Sequence, residues 1–205
     1  GETLVMNGDF DKPGASPAGW TIWRSKEHGQ AIVEHDSAKP GQGAAALHIV
    51  GADGEHINAY QLLPLVDVPL TIGGTYRLRF MMRSEGLSGA GGLSLSAMSD
   101  SNWQFWKELD VWHHNAASSQ EWQSYAQPFT IPPGTQAMRI SLRLNGKGSI
   151  AFDQIVLDEM QPDGSFVDFR TVLKPQGYPL LPAGDLSGLR DENAVQLLCG
   201  CRQLS

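Results

Sequence analysis

The sequence predicts an all-β protein of short antiparallel strands, and three observations carry that reading. Two stretches alternate with period two: Tyr76, Leu78, Phe80 and Met82 against Arg77, Arg79, Met81 and Arg83, then Ile140, Leu142 and Leu144 against Arg139, Ser141 and Arg143. Gly (23) and Pro (12) are plentiful while charged residues make up 18%, which suits strands joined by turns better than long helices. Finally, Ser149–Met160, SIAFDQIVLDEM, reads as a closing strand whose far partner is the opening segment LVMNGDFDKPG. Pairing of the two ends would make everything between them one closed domain.

The elements follow in order. Asn-Gly, Pro-Gly and Pro-Ala-Gly turn signals fill the first residues up to Trp20. Short strands are expected over Trp20–Arg24, Gln30–Glu34 and Ala45–Val50, the last with Ala45, Leu47 and Ile49 inward and His48 on the solvent side. The strand from Tyr76 to Arg83 comes next, then the SGAGG turn and Leu93–Met98. The segment from Ser101 to Phe129 holds four of the six tryptophans. Strict alternation there puts Gln104, Trp106, Glu108, Asp110 and Trp112 on one side. A Pro-Pro-Gly turn, the strand around Ile140 and a hairpin turn at Asn145–Gly148 lead into the closing strand. Residues 1–161 form the expected domain. Residues 162–205, with scattered Pro and Gly and one short helical candidate from Asp191 to Leu198, are expected to be an irregular extension, a linker or the start of a following domain.

Composition excludes several partners. A formal charge of −7 argues against nucleic acid or an anionic membrane surface, and no apolar run reaches the length of a membrane span. No secretory leader opens the chain, and Gly1 is read as a start left by processing or trimming. Cys199 and Cys201, the only cysteines, are too close for an easy mutual disulfide and give no zinc framework.

Three groups of residues are candidates for chemistry. Asp153 breaks the alternation of the closing strand, and a buried carboxylate without a partner costs several kcal/mol, roughly. Either it meets a hard cation, for which Asn7, Asp9 and Asp11 offer oxygens, or it sits at a rim in water. Trp106 and Trp112, interleaved with carboxylates and an amide, offer what sugar rings need: flat faces for C–H stacking beside hydrogen-bonding groups. They could equally plug the core, as is expected of Trp20 and Trp122. The arginine-bearing strand faces are solvated surfaces or, should the two strands be neighbours, one cationic floor suited to hydroxyls or a carboxylate-bearing sugar.

The stretches LVMNGDFDKPGASPAGWTIW, KPGQGAAALHI, YRLRFMMRS, EWQSYAQPFTIPPGT and GSIAFDQIVLDE, taken in order, resemble the signature segments of carbohydrate-binding modules of families 4, 9, 16 and 22. The resemblance covers residues 2 to 160. It implies a jelly-roll β-sandwich of two antiparallel sheets, one concave. It also implies a structural calcium held by the Asp11 side chain, the Asp9 carbonyl, a carbonyl in the Lys39–Gln42 loop, and Asp153. The sugar would lie on the concave sheet and its borders, where the candidates are Trp106, Trp112, Tyr60, Arg79, Arg83, Arg139 and Arg143, with His56 and His113 at the rim.

The function so implied is noncatalytic. The module would be a secreted or cell-surface monomer that targets a covalently attached polysaccharide-active enzyme to its substrate. β-Glucan or xylan is the usual polysaccharide, and the arginine load keeps uronate-containing glycans open. Two other classes stand beside it: a protein-interaction or adhesion sandwich, and a hydrolase in which Glu108 and Asp110, roughly 7 Å apart on one strand face, act as an inverting pair.

Overall fold

The computed structural model describes residues 4–11, 14, 17–36, 45–99, 104–118 and 120–168, and of residues 104–106 and 168 the backbone alone. Eleven strands are found among them: β1 (Thr21–Arg24), β2 (Gln30–His35), β3 (Ala45–Gly51), β4 (His56–Pro64), β5 (Thr75–Glu85), β6 (Gly91–Ser99), β7 (Gln104–His114), β8 (Gln123–Thr130), β9 (Ala137–Asn145), β10 (Gly148–Met160) and β11 (Phe166–Asp168). They form two antiparallel sheets, β1-β4-β9-β6-β7 (sheet I) and β2-β3-β10-β5-β8 (sheet II), with β11 paired to the end of β10. The expected all-β jelly-roll sandwich is what the chain forms. β11 lies past the expected domain end at residue 161. The extension from residue 169 onward, including Cys199 and Cys201, lies outside the described residues.

Period-two alternation puts one face of each sheet into a shared core. Sheet I contributes Ile57, Ala59, Leu93, Leu95, Ile140, Leu142 and Leu144, and sheet II contributes Leu47, Ile49, Leu78, Phe80, Met82, Ile150, Phe152 and Leu157, all 2% exposed or less. Trp20, expected in the core, is buried there with its ring 5.6 Å from that of Phe10.

The opening segment does not pair with β10 as a strand. It docks at a β-bulge between Asp153 and Val156, where Gln154 takes a φ of 51° and the Ile155 N–H donates to the Gly8 carbonyl at 2.9 Å. Gly8 is required there, because a Cβ would lie 2.2 Å from the Ile155 carbonyl oxygen. On its other side the segment is held by sheet I. Buried Gln61 accepts from the Met6 N–H at 2.8 Å and donates to the Met6 carbonyl at 3.0 Å and to the Gly19 carbonyl at 3.1 Å.

A hydrogen-bond chain also crosses between the sheets. Tyr125 donates its hydroxyl to Gln123 Oε1 at 2.7 Å, so it accepts from His114 Nε2 at 2.6 Å. His114 Nδ1 then accepts from Ser84 Oγ at 2.8 Å. The imidazole from β7 is thereby fixed as the neutral Nε2–H tautomer, tied to β5 and β8 of the other sheet. Burial pushes its pKa below the usual 6.5, with Gln123 acting in the opposite direction.

Gly8→Ala is expected to destabilise the fold by about 2–3 kcal/mol in urea denaturation, and unchanged stability would show that the segment is not seated on the bulge. For His114 the folded pKa lies below the unfolded one. Its contribution is therefore full above about pH 6.5 and is lost as pH falls through the folded value. His48 adds a second loss in the same window: burial, with the charge of Arg83 in support, lowers its pKa as well against the opposing pull of Asp36 and Glu34. Thermal midpoints measured from about pH 7.5 to 5 should fall less steeply in His114→Gln than in the unsubstituted protein. Equal slopes would contradict the bridge.

Candidate functional site

Antiparallel register decides which side chains share the outer face of sheet I, since residues opposite one another point the same way. One row runs Trp23, Asn58, Arg143, Gly92, His113 from β1 to β7. The next runs Thr21, Tyr60, Ser141, Ser94, Val111, and a third runs Leu62, Arg139, Ser96, Glu108. The floor is made of short polar residues, with Ser94, Ser96 and Ser141 all buried. Longer side chains stand around it. Two floor atoms, Asn58 Oδ1 and Ser141 Oγ, are buried and make no hydrogen bond to protein among the described residues. A buried hydroxyl or amide oxygen left in that condition costs free energy, and neither atom is open to a group of solvent size as the side chains stand.

The aromatic and charged groups on this face differ in what they offer. Trp23 is 53% exposed. Tyr60 carries the Arg139 guanidinium 4.1 Å from its ring centroid, a cation–π contact that covers one face of the ring. Burial, followed by the nearby charge of Arg143, lowers the pKa of Arg139, with Tyr60 acting the other way. Arg143 Nη2 lies 3.5 Å from Glu108 Oε2. At the rim His56 Nδ1 meets Asn145 Oδ1 at 2.8 Å, and His113 is exposed.

Of the sugar-contact candidates from the sequence, the structure thus brings Tyr60, Arg139, Arg143, His56 and His113 to one face. It separates others from them. The two arginine strands are not neighbours: β5 is in sheet II and β9 in sheet I, so the single cationic floor does not form. Arg79 instead grips Asp158, with Nε at 2.6 Å and Nη2 at 2.9 Å, while Arg77 approaches the same carboxylate at 2.7 Å. Burial alone would raise the Asp158 pKa, but hydrogen bonds from Arg79 and Arg77 hold it below the usual carboxylate value. Arg83 pairs with buried Asp36 at 2.8 Å and lies 5.6 Å from the Trp122 ring centroid.

Trp112 faces inward, opposite Leu93, its ring edge-on to Phe80 at 5.0 Å. It is a core residue, not a platform. Trp106 lies in β7, and its side chain is outside the described residues. Strict alternation failed in β7 because two irregularities shift its register against β6, between Leu95 and Ser96 and between Ala97 and Met98. Asp110 therefore stands opposite inward Leu95 and Glu108 opposite outward Ser96, so the pair considered for hydrolysis does not share a face.

Sequence reasoning missed Trp23. The signal was present, since Thr21 and Trp23 alternate with Ile22 in a short edge strand, but four residues are too few for periodicity to separate a platform from a core plug.

Of the calcium candidates, Asp153 is fully buried beside the bulge on which the opening segment rests. Asp9 and Asp11 belong to that segment and are exposed, while Lys39 and Gln42 lie outside the described residues. Among the described residues, no three His, Cys, Asp or Glu side chains gather closely enough to hold a metal. Asp153 is thus the one buried carboxylate among the described candidates.

No protein-family profile and no curated protein matches the chain. Solved structures do. A family 16 carbohydrate-binding module superimposes with a TM-score of 0.54 at 16% identity, over 76% of this chain and 99% of the module. A family 61 carbohydrate-binding module in complex with β-1,4-galactotriose gives 0.54 at 18% identity, over 78% and 99%. The enzymatically active domain of bacteriophage CBA120 tailspike protein 4 gives 0.59 at 15% identity over 76% of this chain, which spans only 21% of that larger chain. At these identities the likeness establishes the fold, and the fold is the jelly-roll sandwich of carbohydrate-binding modules.

Proposed function

We propose that the protein is a noncatalytic glycan-binding module whose ligand lies across the outer face of sheet I, and which targets an attached polysaccharide-active enzyme outside the cell. The observation that carries this reading is the polar floor at the centre of that face. Asn58, Ser141, Ser94 and Ser96 make a patch of small polar residues beside exposed Trp23, flanked by Arg139 and Arg143. Hydroxyls of a sugar chain suit the floor, and a pyranose face suits the indole. A binding role is favoured over hydrolysis because Glu108 and Asp110 stand on opposite sides of β7. Two complete modules among the similar structures are carbohydrate-binding modules, and one is in complex with β-1,4-galactotriose, which supports sugar as the ligand class.

Calcium belongs to the same reading as a structural ion. It would bridge Asp153 to carbonyl oxygens of the opening segment and the Lys39–Gln42 loop, and so hold the chain's two ends together. Its role is neutralisation of a buried carboxylate, not contact with sugar.

Two measurements test these statements. In affinity electrophoresis and calorimetry against a panel of plant and microbial polysaccharides, binding to at least one polymer is expected, weakened by about 1–2 kcal/mol in Trp23→Ala. Trp23 is exposed enough for that substitution to leave the fold intact, and binding that ignores it would place the ligand elsewhere. For calcium, the thermal midpoint should rise when the ion is added to chelator-treated protein, and Asp153→Asn should abolish the rise. A midpoint indifferent to the ion would remove calcium from the account.

A further inference from the structure

On the outer face of sheet I the floor is buried although it points away from the core: Ser94, Ser96 and Ser141 are 2%, 1% and 2% exposed. Small side chains on an outward face become buried when longer neighbours lie across them. Arg143 and Glu108 do so. Arg143 of β9 is level with Gly92 of β6, and Glu108 of β7 is level with Ser96 of β6. β6 lies between β9 and β7, so the line joining the two residues crosses it midway, over Ser94. Two strand spacings sideways and four residues along place their backbones roughly 16 Å apart. Arg143 Nη2 and Glu108 Oε2 nevertheless stand 3.5 Å from one another. Side chains that bridge such a gap are both extended and lie flat over the floor.

The contact is held weakly. Its side chains are 37% and 51% exposed, and a pair so long and so open to water contributes little and is screened by salt. On sheet II, by contrast, Arg83 meets buried Asp36 at 2.8 Å, a short pair that serves the fold. Glu108 is the one acidic group that Arg143 meets among the described residues. Asp110, the neighbouring carboxylate of β7, stands opposite inward Leu95 and accepts from the Val111 N–H at 2.8 Å. A single ion pair therefore decides whether this bar lies across β6.

We infer that Arg143 and Glu108 form a strap that closes the floor in the unliganded protein and is displaced when sugar binds. The inference rests on the glycan-binding reading and adds the regulation of that site. A hydroxyl reaches Ser94 only in molecules whose strap is open, so the apparent affinity is the intrinsic affinity reduced by the open fraction. Once apart, the guanidinium donates to sugar hydroxyls and the carboxylate accepts from them, which repays the broken pair. Because strap and ligand compete, whatever weakens the strap strengthens binding. That holds for an uncharged sugar too, on which salt otherwise has little to act.

The test has two arms. In the first, calorimetry of the whole chain with three neutral oligosaccharides, xylohexaose, cellohexaose and β-1,4-galactotriose, is run from about 0.05 to about 0.5 M NaCl. At least one is expected to bind, and to bind about two- to fivefold more tightly at the high salt concentration. Glu108→Gln keeps the shape and a hydrogen-bonding amide but removes the charge, and should show the high-salt affinity throughout the series. In the second arm no sugar is present. Labelling of position 94 by iodoacetamide is followed by peptide mass spectrometry in Ser94→Cys, with and without Glu108→Gln, and the second substitution should speed it by about the same factor. The salt series uses the unsubstituted protein and so does not depend on the variants folding. Binding that is indifferent to salt, or weakened in Glu108→Gln, would overturn the strap, the latter by making Glu108 a plain sugar contact. Equal labelling rates would overturn it without reference to any ligand. Binding to none of the oligosaccharides would overturn the glycan-binding reading, while the labelling rates would still decide whether the strap closes the floor.

Discussion

The hydrogen bond from the Ile155 N–H to the Gly8 carbonyl is the point where the start and the end of the domain meet. It exists only because β10 bulges between Asp153 and Val156 and turns Ile155 toward the opening segment. The same bulge sets the faces on either side of it. Before it, β10 pairs with β3 and β5, sending Ile150 and Phe152 inward; after it, Leu157 returns to the core and Asp158 faces out between Arg77 and Arg79. Without the extra residue, the second half of the strand would present its carboxylate to the core and its leucine to water. The opening segment, anchored on sheet I through Gln61 and on sheet II through Gly8, thus closes the sandwich across both layers.

Much of this was legible in the sequence where a strand is long and regular. The alternation Tyr76–Arg83 and the one ending at Leu144 assigned inward and outward residues correctly, and the break at Asp153-Gln154 marked the bulge. Sheet membership was not legible. β5 and β9 show the same arginine-over-aliphatic pattern, and nothing local says that one is a centre strand of sheet II and the other of sheet I. In β7 the reading failed for a different reason. Period two carries no memory of an inserted residue, so the register shift between Leu95 and Ser96 put Trp112 and Glu108 on opposite faces, and with them went the expected platform and the expected acid pair.

The candidate site follows from sheet order more than from any motif. β9 is central in sheet I, so its outward residues have strands on both sides and form a floor, while β1 lies at the edge and lifts Trp23 to the margin. A ligand at the proposed site would meet small polar groups in the middle, guanidinium groups above them and an indole at one side. The outer face of sheet II is chemically similar in composition but closed on itself: its arginines are consumed by Asp36 and Asp158, which serve the fold. Burial of the carboxylate, not the presence of arginine, separates the face that serves the fold from the one proposed to bind.

The central claim is that glycan lies on the outer face of sheet I. Backbone amide mapping by NMR, titrating labelled protein with an oligosaccharide of a polymer that binds, tests it most directly. The account predicts shifts concentrated in the rows through Trp23, Asn58, Ser141 and Arg143, with the amides of Arg77, Arg79 and Arg83 undisturbed. Shifts centred on β5 and β8, or confined to the loops at either end of the sandwich, would contradict it.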